Sequence, residues 1–152
     1  MFLEINRKKP GLPSKDFLEE VVFDIIKYSG YFFLESKKIT ISLASVSEEE
    51  IKKINKKYRG QDAVTDILSV SNYENKKDLL KETKTTVFLG ELIICCDYIK
   101  KSASINNTVS ALFKSELAEI ISHGVLHLLA FHHGKKMFSI QDRVANVAIK
   151  KS

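Results

Sequence analysis

All four histidines of the 152-residue chain lie between His123 and His133, in the run His-Gly-Val-Leu-His-Leu-Leu-Ala-Phe-His-His. The residues between them, Val125, Leu126, Leu128, Leu129 and Phe131, are apolar, so this segment has to lie against a core. Several imidazoles held there with no shared partner would leave ring nitrogens unsatisfied, at roughly 1–3 kcal/mol each. A common metal ion removes that penalty. Neutral imidazole is the commonest zinc ligand, and a hydrolytic zinc site pairs three protein ligands with one open position. His123 and His127 are four residues apart, which on a helix stacks their rings on one face with Cβ atoms about 6 Å apart. If that helix ends near Ala130, the chain can turn back and bring His132 or His133 to the same ion. The ligand set is then His-x4-His or His-x5-His after the first His-x3-His pair.

At 17.3 kDa the chain is expected to form one domain over residues 1–152 with a substantial core. Its 44% hydrophobic and 28% charged content is that of a globular protein, and no apolar run reaches the roughly 18–20 residues of a membrane span. Residues 1–7 carry an early acid and no secretory pattern, so the cytoplasm is the expected location, with no membrane partner. Cys95 and Cys96 are adjacent, which disfavours a disulfide between them and gives no zinc-knuckle spacing; both are expected in a strand, in a reducing compartment. The net charge of +5 permits approach to a polyanion such as RNA.

Residues 2–7 alternate as an opening strand, broken by Pro10, Gly11 and Pro13. Ser14 is placed to cap a helix running to about Tyr28, with Phe17, Leu18, Val21, Val22, Ile25 and Ile26 as its apolar stripe and Ser29-Gly30 as its end. Residues 39–46 alternate with period two, and Ser47 and Glu50 have capping-box spacing for a second helix to about Tyr58. Residues 65–71 and 87–95 read as strands, antiparallel neighbours joined by a polar, lysine-rich loop. A helical pattern runs from about Thr108 to Leu129, and 137–150 reads as a terminal helix. The expectation is an α+β fold in which a small mixed β-sheet packs with helices and the metal-binding helix lies near the C-terminal end.

Three segments carry a resemblance. His123, Gly124, Leu126, His127, Leu128 and His133 match His-Gly-x-Leu-His-Leu-x-Gly-Tyr-Asp-His. Asn55, Tyr58, Arg59, Asp62, Thr65, Asp66, Leu68 and Ser69 match Asn-x-x-Tyr-Arg-x-x-Asp-x-x-Thr-Asp-Val-Leu-Ser-Phe, and Leu89-Gly90-Glu91-Leu92 matches Leu-Gly-Asp-Ile. Over nearly its whole length the chain resembles the YbeY family, metal-dependent endoribonucleases of bacterial ribosomal RNA maturation and ribosome quality control. The resemblance implies a zincin-like fold and one Zn2+ held by His123, His127 and His133. It also implies a catalytic Arg59 beside the cleft, and the 16S rRNA precursor and the ribosome as partners. The chain departs from the family pattern at Ala130 for Gly, Phe131 for Tyr, His132 for Asp and Ser71 for Pro, and Gly134-Lys135-Lys136 follows where the family tends to be acidic.

Arg59 presents a planar fork of donors that suits phosphate. Peptidases with His-Glu-x-x-His put their general base directly after the first histidine, where this chain has Gly124. That speaks against peptide hydrolysis, although a metal hydrolase acting on peptides stays as an alternative. So does a ribosome-associated binding protein with a structural metal, for which a closed four-histidine site is expected. Thr65 and Asp66 read as braces or direct participants beside the cleft, and Glu119, one turn before His123, as a solvated helix acid or a group supporting a metal ligand. The lysine pairs at 52–53, 56–57 and 76–77 are expected to track RNA phosphates as a set.

Overall fold

Period-two alternation at Ile39, Ile41 and Leu43, and the near-continuous apolar run from Val87 to Ile94, build the two inner strands of a four-stranded sheet. The computed structural model describes residues 2–7, 12–103 and 111–151. The strands are β1 (Phe2–Arg7), β2 (Lys38–Ser45), β3 (Ile67–Ser71) and β4 (Thr86–Ile94), arranged in the order β1-β2-β4-β3. β1 pairs parallel with β2 and β2 with β4, whereas β3 runs antiparallel to β4. The sheet is therefore mixed, and the expected antiparallel pair is present.

Parallel neighbours need helical crossovers. α1 (Lys15–Ser29) joins β1 to β2, and α2 (Glu48–Arg59) leaves β2. Both start at the serines expected as caps: Ser14 Oγ accepts from the Phe17 N–H and Ser47 Oγ from the Glu50 N–H. Both end on a left-handed glycine, Gly30 and Gly60. Pro10, Gly11 and Thr108, named in the sequence reading, lie outside the described residues.

Two expectations need correction. The lysine-rich loop contains a short helix, α3 (Lys76–Leu80), started by Asn75 Oδ1 accepting from the Asp78 N–H and pinned by fully buried Leu79. The cysteines are not strand residues. β4 stops at Ile94, Cys95 caps α4 (Cys96–Ser102), and buried Cys96 and Ile99 are the inward pair of that helix at i, i+3 spacing. The unbroken apolar run into Cys96 conceals this switch from period two to helix.

Successive residues of β3 and β4 point to opposite faces. Leu68, Ile93 and Cys95 meet Ile51 of α2 in a small cluster, while Ile67, Leu92 and Ile94 belong to the main core. Across the main core lie α5 (Ala111–Leu128) and α6 (Lys135–Lys151), with α1 packed on both. α5 rests directly on β3 and β4. Among the described residues no helix is long and apolar enough to cross a membrane.

Two glycines set how closely α5 approaches. A Cβ on Gly124 would stand 2.7 Å from Ile67 Cδ1, 2.9 Å from Leu92 Cδ2 and 3.2 Å from Ser69 Oγ. Gly90, at φ +143°, sits at the β-bulge opposite Ile41, where a side chain would run into the Val70 carbonyl and Leu128. Inserting a methyl into such packing costs about 1–3 kcal/mol. At Gly124 the atoms met are side-chain tips, and alanine gains about 1 kcal/mol over glycine in a helix, so the sharper test is a larger residue. Gly124→Leu is expected to lower Tm by about 2–4 °C per kcal/mol lost, and a melting curve matching the wild type would show that α5 does not lie this close.

Candidate metal centre

The metal helix ends in a turn that delivers the third histidine. At its C-terminus the Ala130 N–H donates to the His127 carbonyl at 3.0 Å and the Phe131 N–H to the Leu126 carbonyl at 2.9 Å. With Ala130 at φ +63°, these bonds form a Schellman motif that closes the helix and reverses the chain. His133 then returns beneath the last turn of α5. Its Nε2 lies 3.2 Å from those of both His123 and His127, which are 3.0 Å apart. The structure thus brings His123, His127 and His133 together as a group able to hold a metal ion, and His132 lies exposed outside it.

The contacts on the far side of each ring show what the cluster presents. His127 Nδ1 is 3.2 Å from the Phe131 carbonyl oxygen, which can only accept, so Nδ1 carries the hydrogen and Nε2 a bare lone pair. His123 Nδ1 is 2.9 Å from Gln141 Oε1. The Nε2 lone pair of His127 thus points at the Nε2 atoms of His123 and His133. Four tetrahedral nitrogen ligands at about 2.0–2.1 Å from zinc stand about 3.3 Å apart, close to the spacing found here. The all-imidazole donor set and its geometry therefore fit a zinc ion.

The cluster opens onto a cleft of ≈ 740 Å³ between the C-terminal end of α2, β3, α4 and α5. Arg59 lines it together with Asp66, Tyr98, Glu119, His123 and His127. Arg59 is the last residue of α2, which closes on left-handed Gly60 in the simpler αL motif, the Gly60 N–H donating to the Lys56 carbonyl at 3.1 Å. The Asn55 side-chain amide ties down the following loop through the Ala63 carbonyl at 2.9 Å. Asp66 Oδ1 accepts from the Ile67 N–H at 2.7 Å and from the Thr65 hydroxyl at 3.4 Å, so these residues brace the start of β3.

Several participants escape a reading of the sequence. Gln141, on α6 and buried, holds the His123 ring, and its Nε2 lies 3.4 Å from Glu119 Oε1. Glu119 is thus a half-buried wall of the cleft, not a solvated acid. Ser69 on β3 donates to the Gly124 carbonyl at 3.3 Å, while the Ser71 hydroxyl donates to the Tyr73 carbonyl at 2.8 Å and stands 3.3 Å from the Leu128 carbonyl. The lysines at 52, 53, 56 and 57 are exposed, with Lys53 paired to Glu49 at 3.3 Å and Lys56 to Asp62 at 3.9 Å.

Comparison with known proteins now decides the family. The model of the Endoribonuclease YbeY family matches residues 3–147. Endoribonuclease YbeY of Bacillus pumilus is 33% identical over 142 residues, covering 88% of this chain and 87% of its own length. That of Staphylococcus saprophyticus is 35% identical over 111 residues, 70% of each chain. The chain belongs to the YbeY family. The solution structure of TM1509 from Thermotoga maritima shares the fold, with a TM-score of 0.59 over 99% of this chain and 91% of that one at 25% identity.

Against the YbeY pattern, the αL position of the metal-helix turn holds alanine in place of glycine. An L-residue there pays roughly 1–2 kcal/mol, against roughly 0.5–1 kcal/mol for the extra freedom of an unfolded glycine. Ala130→Gly is therefore expected to stabilise the protein by about 0.5–1 kcal/mol and to raise Tm by about 1–4 °C; a lower Tm would contradict the left-handed turn. Burial, followed by the neighbouring His123 and His133 rings, lowers the His127 pKa below its usual 6.5. The unfolded chain then takes up that proton first, so stability is fully present above about pH 6.5 and is lost as pH falls through the lower folded value. The metal-free protein should melt at lower temperature at pH 5 than at pH 7, with a smaller difference in His127→Gln, and bound metal should be shed in the same direction. Retention of metal at pH 4 would contradict imidazole ligation.

Proposed function

We propose that this chain is a zinc-dependent, single-strand-specific endoribonuclease, one domain over residues 1–152, acting in the cytoplasm in 16S rRNA 3'-end maturation and ribosome quality control. The observation that carries the reading is the convergence of three Nε2 atoms within 3.0–3.2 Å at the wall of a cleft that also holds Arg59. The relatives reported above are named endoribonucleases, and the +5 charge suits a polyanionic substrate.

In this reading His123, His127 and His133 hold the ion and Arg59 is the catalytic arginine. When bound, zinc lowers the pKa of water to roughly 7 and polarises a phosphoryl oxygen. Arg59 offers paired N–H donors to the non-bridging oxygens of the scissile phosphate and counters the charge that builds there. It lies at the end of α2, on a backbone closed by Gly60, and lines the same cleft as His123 and His127. Ser69 ties α5 to β3 through the carbonyl of Gly124, which lies between the two histidines and next to His123.

The two alternatives fare worse on particular contacts. A structural ion enclosed by four histidines needs His132 in the cluster, and it lies outside. A peptidase of the His-Glu-x-x-His kind needs a glutamate at position 124, where Ile67 and Leu92 leave no space even for a methyl.

Metal analysis should give about one zinc per chain. The protein should cleave single-stranded RNA but not casein, and chelation or His127→Ala should abolish cleavage. Arg59→Ala should keep its zinc and cleave roughly 10²–10³ times more slowly. Cleavage by Arg59→Ala at the wild-type rate would remove the arginine from the mechanism, and casein cleavage would replace the substrate.

A further inference from the structure

Gln141 stands between an acid and a metal-cluster histidine. Glu119 and His123 are one turn apart on α5, and Gln141 reaches them from α6, with Nε2 3.4 Å from Glu119 Oε1 and Oε1 2.9 Å from His123 Nδ1. The two ends of an amide are distinguished only by their partners. A carboxylate oxygen accepts, so the NH₂ end must face Glu119; turned over, the amide would set two acceptor oxygens against each other. The carbonyl end then faces the ring, and a carbonyl can only accept. His123 must therefore carry its hydrogen on Nδ1, which leaves the Nε2 lone pair aimed into the cluster. The opposite tautomer would put an N–H where an ion has to bind.

We infer that Glu119 and Gln141 are positioning residues that together set the tautomer and ring plane of His123 for metal capture. The inference rests on the reading of His123 as a ligand. His127 needs no such device, because its partner is the Phe131 backbone carbonyl, whose polarity is fixed. For His123 the same information comes through two side chains on two helices, so docking of α6 on α5 is itself required for a competent cluster.

The test pairs zinc competition against a chromophoric chelator with nitrogen NMR of the imidazoles in the metal-free protein at pH 8. Wild type should show His123 protonated at Nδ1. Gln141→Leu and Glu119→Gln should each shift it toward the Nε2-protonated form, and outer-shell losses of this kind weaken zinc binding about 10–100-fold. Because a single variant can also disturb packing, the decisive protein is the double exchange Glu119→Gln with Gln141→Glu. It again places an acceptor against the ring and a donor behind it, so tautomer and affinity should both recover. Single variants with wild-type tautomer and affinity, or a double exchange no better than the singles, would overturn the inference. A wild-type protein that binds no zinc would overturn the ligand assignment instead, while the metal-free spectra still decide the tautomer.

Discussion

Helix α5 is pressed so closely onto β3 and β4 that the residue after its first histidine has no room for a side chain. That contact governs the rest of the molecule. Gly124 faces the sheet while His123 and His127 look into the cleft, so the packed surface and the chemical surface belong to the same turns of helix. Ser69 adds a hydroxyl bond from β3 to the Gly124 carbonyl of α5, which resists sliding of the helix. Ligating groups have to be held within about 0.5 Å to converge on one ion. A helix anchored on a sheet edge meets that requirement better than a loop would.

The parts of this arrangement visible in the sequence are those with local causes. His123 and His127 declare themselves by a spacing of four, the serine caps of α1 and α2 by their distance from the first apolar stripe, and the inner strands by alternation. The third histidine is different. Choosing between His132 and His133 depends on the backbone turn at Ala130, and alanine carries none of the signal that glycine gives for a left-handed residue. Resemblance to a family selected His133, where physical reasoning alone left two candidates. α4 is hidden because an apolar run shows no period, and the Gln141 contact because it joins residues 18 apart in sequence on different helices.

Charge distinguishes the three clustered donors from their surroundings. Neutral imidazoles would leave a divalent ion its full charge, whereas a carboxylate among them would cancel part of it. The nearby acid, Glu119, is held one amide away from His123 and lies outside the group of three. Arg59 adds a positive group on the same cleft, and its field is one of the smaller influences, after burial and the neighbouring rings, that lower the pKa of His127.

The two turns that flank the cleft make the last point. Gly60 and Ala130 close their helices at nearly the same φ, +70° and +63°, the first through one bond to the carbonyl four residues back and the second through the Schellman pair. Only the second turn is strained, and it is the one that brings His133 into the cluster. Its strain is that of an L-residue in a left-handed conformation, roughly 1–2 kcal/mol. Packing on either side offsets it: Phe131 lies edge-on to Tyr31, whose hydroxyl donates to the Leu129 carbonyl at 2.7 Å, and the His133 ring stacks on Phe138. The strained backbone is thus held by its neighbours in the one conformation that carries His133 to within 3.2 Å of the other two imidazoles.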